Sequence, residues 1–371
     1  PRDTLKLFAT VTAAMEQAGI EDVGKRLALI RGWQTSTLLI RNGVFTAAEL
    51  LAIREFSQSR SFDIAWLPDM EADEANRFNR LASPVFYQAA RAMLGEERER
   101  FLQEYKFDLK PATDNRPYFH HFFKWDTFRE LYQLRSQGGM PLMEWGYLIL
   151  VASLVIAVVF SIVLILLPLW FFQRLRERLP EQVRRSDVAL YFFAIGLAFL
   201  FIEIAFMQKF ILFLHHPIYS IAVTLTAFLL FAGLGSQWSE RLGSGPGRRR
   251  MLKVSVLGIG LISLLYLILL GPLFASLAAI PMLLKVALAI GLIAPLAFLM
   301  GMPFPLALSS LADHAQAYIP WAWGINGCAS VISASMATLL AIQFGFDVVI
   351  TIAVMLYLAT LKFFPAPEVS K

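Results

Sequence analysis

Charge is scarce in this chain and cysteine nearly absent. Lys, Arg, Asp and Glu make up 16% of its 371 residues, against about 25% in an ordinary soluble domain. The one cysteine, Cys328, excludes a disulfide within the chain and a thiolate metal cluster. No GxGxxG occurs, so the usual glycine cradle for a nucleotide phosphate is missing. No Ser-His-Asp arrangement can be argued. No basic stripe interleaved with aromatics is present, so nucleic acid is not an expected partner. The chain opens at Pro1 on a charged amphipathic stretch, without the pattern of a signal peptide. We therefore expect that its true amino terminus lies upstream.

What is abundant is apolar. Hydrophobic residues reach 57% and the mean hydropathy is +0.58. Their distribution is uneven. Residues 1–143 are mixed and charged, whereas from Trp145 onward apolar runs are joined by short basic loops. Seven runs are countable, at 145–172, 188–214, 218–238, 252–274, 283–304, 321–342 and 348–364. Each is about the 20 residues that a helix needs to cross a bilayer core. The loop at 173–187 carries Arg174, Arg176, Arg178, Arg184 and Arg185, and the loop at 239–253 carries Arg241, Arg248, Arg249, Arg250 and Lys253. The loops at 215–217, 271–281 and 343–347 carry neither Lys nor Arg. Positive loops stay cytoplasmic. The expected setting is thus a bacterial-type inner (plasma) membrane, crossed several times, with the carboxyl-terminal Lys371 in the cytoplasm. The same count puts Trp145, and the soluble portion before it, on the other side.

The soluble portion reads as α/β. Leu5, Phe8, Val11, Thr12 and Met15 recur at helical spacing, with Asp3 placed to cap the helix and Gly19 to stop it. Residues 26–31 and 35–41 read as strands. Thr46 and Glu49 form a capping box for a second helix. A third strand covers 62–67, and two or three helices fit between 71 and 105. Asp63, Asp108 and Asp114 are candidate acids, though each is more simply a cap, a turn residue or a surface charge. Residues 111–144 read as an aromatic connector that holds Thr113, Asp114, Arg116 and Tyr118. Its adjacent His120 and His121 point apart on a helix or strand, so no metal site is expected. With Tyr118, Phe119, Phe122, Phe123 and Trp125 they suit the headgroup level instead.

The second and third runs form a hairpin around His215-His216-Pro217. Glu203 sits near the middle of the first arm, where an acid costs about 2.5–3.5 kcal/mol on insertion scales. It is either paired for structure or a proton-coupled or cation-binding site, unless its depth is misjudged. Gln208 and Lys209 are placed to tune it. Tyr219, Ser220, Thr224, Asn326, Ser330, Ser333 and Ser335 are candidate partners. Gly233, Gly235, Gly258, Gly260, Gly324 and Gly327 suit close helix packing. Pro295, Pro303 and Pro305 are expected to kink or break the fifth span.

The stretches RLALIRGWQTSTLLIRNGVFTAAEL, SFDIAWLPDM, NRFNRL and PATDNRPYFHHFFKW resemble integral-membrane proteins of the spermidine-synthase-like or S-adenosylmethionine-dependent methyltransferase-like group. So do the hairpin, FLMGMPFPLAL and GINGCASVISASMATLL. The resemblance implies the carboxyl-terminal part of a Rossmann-like domain over 1–110, the connector over 111–144, and a half-major-facilitator-like helical bundle over 145–371. It implies no cofactor site in this chain. S-adenosylmethionine or its decarboxylated form, and aminopropyl or methyl transfer, would require an upstream domain or partner chain. The alternatives are a transporter-like module that uses Glu203 beside a degenerate soluble domain, or a membrane scaffold.

Overall fold

A computed structural model describes residues 1–126, 145–168, 171, 183–242 and 247–365. Arg174, Arg176, Arg178 and Lys371 lie outside the described residues. The chain divides into two compact units. One comprises Pro1–Thr113 and Pro117–Tyr147, the other Asp114–Arg116 and Leu148–Lys371.

The first unit is a small sheet with helices on both faces. Helix α1 (Asp3–Gln17) buries Leu5, Phe8, Thr12 and Met15 along one stripe. Asp3 makes no capping bond; it lies in the first turn, where a negative charge suits the helix dipole. Gly19 ends the helix at φ +74°, and the Ile20 amide returns to the Met15 carbonyl at 3.0 Å. Strands β1 (Leu27–Arg31) and β2 (Ser36–Ile40) form a hairpin, closed by the Gly32 amide on the Thr35 carbonyl at 2.8 Å. Helix α2 (Ala47–Ser59) follows, with the Thr46–Glu49 capping box formed in both directions. Strand β3 (Asp63–Trp66) then returns to the free side of β1.

The sheet order is β2-β1-β3, and both pairings are antiparallel. This overturns the expectation of a Rossmann-like remnant, whose sheet is built on parallel strands. The reason is local. Four residues separate β1 from β2, which suffices for a hairpin, whereas a parallel pair needs a crossover of about a dozen or more. β1 is central and covered on both faces. Leu27 and Leu29 join a core with α1, α3 (Val85–Leu94) and α4 (Arg98–Glu104), while Ala28 packs with Leu50 and Ile64 on the α2 side. Phe122 belongs to the first of these cores, and Phe123 is also buried. The connector aromatics are therefore in part core residues of this unit. Trp125, by contrast, stays exposed.

The second unit is a bundle of long apolar helices. Helix α5 (Trp145–Ser161) runs on into a π-helical turn at Ile162–Leu166. It is followed by α6 (Arg185–Leu214), α7 (Pro217–Leu242), α8 (Gly247–Ser276), α9 (Met282–Met300), α10 (Pro303–His314), α11 (Ile319–Phe344) and α12 (Phe346–Phe363). Among the described residues, seven spans are long and apolar enough to cross a membrane, with α9 and α10 forming one broken span. This is a multi-pass membrane protein. Helix α6 is its centre, with 67% of its span buried against 6% for the first span. It packs chiefly on α11 and α12.

Two glycines set the tightest approaches. A Cβ on Gly235 of α7 would collide with the Phe298 carbonyl of α9, and one on Gly301 with the Ala232 carbonyl. Gly196, not singled out from sequence, lies against Ala329 and Asn326 on α11. By contrast, Gly233 and Gly327 face open space. Pro295 sits inside α9 without ending it. The break comes at Gly301-Met302, and α10 restarts on Pro303, where a missing N–H costs a helix nothing.

Candidate functional site

Glu203 projects from the buried α6. The residue is 4% exposed, and its Oε1 has no hydrogen-bond partner. From Glu203 to the end of α6 at Leu214 is about 16 Å at 1.5 Å per residue, so the carboxyl sits well inside a hydrocarbon core about 30 Å thick.

Beside it lies a cavity of about 500 Å³. Four elements and a break build its wall. Gly196, Phe199, Leu200 and Glu203 form one face of α6, at the three- and four-residue spacing that brings helical side chains together. Leu225, Leu229, Ala232, Gly233 and Ser236 come from α7. Met300, Gly301, Pro303, Phe304 and Pro305 come from the corner between α9 and α10. Asn326 and Ser330 are one turn apart on α11, and Tyr357 comes from α12. The lining is mostly apolar with a few convergent polar groups, which is the usual character of a small-molecule site. Irregular backbone at membrane depth is tolerated where it lines such a cavity.

Two polar residues of the wall are held by backbone carbonyls. Asn326 donates Nδ2–H to the Phe192 carbonyl at 3.2 Å, and Ser330 donates its hydroxyl to the Asn326 carbonyl at 3.0 Å. Neither bond reaches Glu203. On the neighbouring face, Ser333 donates to the Leu197 carbonyl at 3.0 Å, and Tyr191 to the Pro303 carbonyl at 2.8 Å. These bonds fix α11 and the α10 start against α6.

The sequence candidates separate into two groups. Glu203, Asn326 and Ser330 do line one cavity. Lys209 does not serve Glu203; it pairs with Asp347 at 2.8 Å. Gln208 is half-buried and off the cavity wall. Tyr219 is 59% exposed and sits edge-on to His216. Ser220 bonds the Met207 carbonyl, and the buried Thr224 hydroxyl lacks a partner but is not on this wall. Tyr357 was missed, because one tyrosine in an apolar run carries no pattern of its own. Phe304 and Gly301 were not singled out either, because beside Pro303 and Pro305 they carry no signal of their own.

The connector has a structural role. Asn115 accepts from the Asp347 amide through Oδ1 at 2.9 Å, and its carbonyl accepts from the Phe346 amide at 3.0 Å. Arg116 donates to the Ile342 carbonyl at 3.0 Å. Together these serve the end of α11 and the start of α12, where helix backbone groups lack partners. Asp114 and Thr113 are exposed, while Tyr118 is half-buried and its carbonyl accepts from the His121 amide. Burial pushes the Tyr118 phenol up to about 12. His121 is buried against the Tyr147 ring, and its carbonyl accepts from Lys6, whereas His120 is exposed. Asp108 caps a local turn by accepting from the Lys110 amide.

No family model, curated protein or solved structure matches the chain. The resemblance to spermidine-synthase-like and methyltransferase-like membrane proteins is therefore withdrawn. So is the half-major-facilitator likeness. The antiparallel sheet removes the fold on which S-adenosylmethionine, or its decarboxylated form, was expected to bind. It removes with it the aminopropyl- or methyl-transferase activity and the polyamine association. The same sheet argues against a degenerate Rossmann domain beside a transporter-like module. Among the described residues, no group of His, Cys, Asp and Glu is arranged to hold a metal.

Proposed function

We propose that the helical unit is an intramembrane binding module, which holds a small, largely apolar ligand by a polar end at Glu203. The observation that carries this is the Glu203 carboxyl: buried, without a hydrogen bond to Oε1, on the wall of a cavity of about 500 Å³. A buried acid without a partner costs several kcal/mol in order of magnitude. Within hydrocarbon such groups almost always face a cavity or a partner, and they mark functional paths. Asn326, Ser330 and Tyr357 supply the secondary polar contacts. Phe199, Phe304 and the leucines of α7 hold the apolar part.

The test is Glu203→Gln, which keeps the shape and removes the charge. Native mass spectrometry of the full chain from nanodiscs reports retained small molecules, and thermal melting reports the fold. The expected result is an unchanged or higher melting temperature together with loss of a molecule that the wild type retains. An unchanged mass spectrum with a higher melting temperature would instead make Glu203 a structural burden and overturn the reading.

We place the protein in a bacterial-type inner (plasma) membrane with its carboxyl terminus in the cytoplasm. The support is loop charge. Arg184, Arg185, Arg241, Arg248, Arg249 and Arg250 cluster at one set of ends, and Arg248 is held by Asp313 of α10 at 2.6 Å. The α11–α12 turn bound by Asn115 and Arg116 belongs to the opposite set. An impermeant maleimide applied to intact cells should therefore label a cysteine placed at Gln58 or Glu97 in a Cys328→Ser background. Protection until lysis would invert this orientation.

A further inference from the structure

The Glu203 cavity presents more hydrogen-bond acceptors than donors. Glu203 as a carboxylate only accepts. Ser330 has already given its one hydroxyl hydrogen to the Asn326 carbonyl, and Asn326 has given an amide hydrogen to the Phe192 carbonyl. Asn326 keeps one N–H, and Tyr357 and Ser236 bring a hydroxyl each, but the lone pairs of Glu203, Asn326 and Ser330 outnumber these donors. Among the described residues, no Lys, Arg or His stands on the cavity wall to neutralise Glu203. Lys209, one of the nearer cations in sequence, is engaged with Asp347. The aromatic rings of Phe199, Phe304 and Tyr357 complete a wall of the kind that attracts cations.

The approach is through lipid. Leu225 and Leu229 line the cavity and are 40% and 62% exposed on the bundle surface. Gly233, also on the wall, has open space where a Cβ would stand. A ligand that enters between these residues comes from the hydrocarbon, so it must partition there first.

We propose that the ligand class is an apolar primary monoamine, bound as the ammonium with its N–H groups on Glu203, Asn326 and Ser330 and its apolar body toward α7. This rests on the binding reading above and deepens it. A primary ammonium brings three donors and no acceptor. It thereby supplies what the wall lacks, and its single charge matches the single carboxylate.

The test uses the full chain in nanodiscs with labelled octylamine, octanol and octanoate, with empty nanodiscs subtracted. Octylamine should bind saturably at one per chain. It should bind about tenfold or more tighter than octanol, as a hydrogen-bonded charge pair implies, and octanoate should not bind. Glu203→Gln should bring octylamine down to the octanol level. Equal binding of amine and alcohol, both weakened by Glu203→Gln, would overturn the amine assignment and leave the binding module standing, whereas equal binding unaffected by Glu203→Gln would overturn both. If none of the three binds saturably, while native mass spectrometry still shows a molecule retained through Glu203, the amine assignment also falls and the module stands. If no probe binds and nothing is retained, both fall.

Discussion

Each unit of this protein buries an acid, and the two acids are treated in opposite ways. In the first unit, Asp63 is surrounded by partners. Its two oxygens accept from the Phe78 and Asn79 amides at 2.8 Å each, and Arg31 stands 3.2 Å away with only 6% of its side chain exposed. Arg31 is held in turn by the Asn76 side chain, the Asn79 carbonyl and the Phe86 ring. In the second unit, Glu203 is about as buried and has no such shell. A folded chain satisfies its buried polar groups almost everywhere. Where one acid is fully answered and another is left open beside a cavity, the first is architecture and the second is the group on which the binding proposal rests.

The largest expected effect comes from breaking the answered acid. Asp63→Asn leaves Arg31 buried and uncompensated, which should cost about 3–5 kcal/mol. Differential scanning calorimetry of the full chain should show the transition of the first unit fall while that of the helical unit stays. The pH dependence has a definite sign. Burial acts to raise the Asp63 carboxyl, but the Phe78 and Asn79 amides and Arg31 outweigh it and hold the group below its ordinary 3.8. Its contribution is therefore complete above the ordinary value and lost as pH falls through the lower folded one. Glu203→Gln makes the contrast, because the first unit should not register it. If Asp63→Asn cost under about 1 kcal/mol, as exposed pairs do, the comparison of the two acids would lose its basis.

Much of this architecture was legible in the sequence, and what was not has a physical reason. Seven spans follow from apolar length alone, since nothing else in a chain of this kind explains such runs. The order of helix, two strands, helix and strand over residues 3–66 follows from period and turn chemistry. Strand direction does not follow from the apolar content of a strand, and it was there that family likeness led to the wrong sheet. The four-residue gap between β1 and β2 held the correct answer. In the site, Glu203 stood out because an acid in an apolar run is costly. Its neighbours did not, because a face shared by α6, α7, α11 and α12 depends on helix rotation and packing. Lys209 shows the hazard directly: close to Glu203 in sequence, it is paired with Asp347 across the bundle.

A smaller effect sharpens the helical side of the comparison. Gly235→Ala places a methyl group against the Phe298 carbonyl, where only backbone can yield. The expected cost is about 1–3 kcal/mol from overpacking, read as a lower melting temperature of the helical unit. Gly233→Ala, two residues away on the open cavity wall, should be nearly silent in stability. If both are silent, α7 and α9 are looser than their backbone approach indicates, and the cavity they border is not a fixed one.

The smallest effect concerns an acid that is answered but not buried. Glu49 accepts from the Thr46 amide at 2.7 Å and from Arg41 at 2.9 Å. The Thr46 amide and Arg41 hold its carboxyl down to about 2 from an ordinary 4.5. Its contribution is present above the ordinary value and is lost as pH falls toward the folded one. Thr46→Ala removes the hydroxyl that accepts from the Glu49 amide, and a lost cap costs about 0.5–2 kcal/mol. The melting temperature of the first unit should fall slightly at neutral pH, and the gap from wild type should narrow near pH 2, where the Glu49 carboxylate no longer locks the box. A gap that stays constant with pH would mean that the hydroxyl acts alone. Partnership at a surface acid would then contribute locally to one helix end, whereas at Asp63 it holds a core.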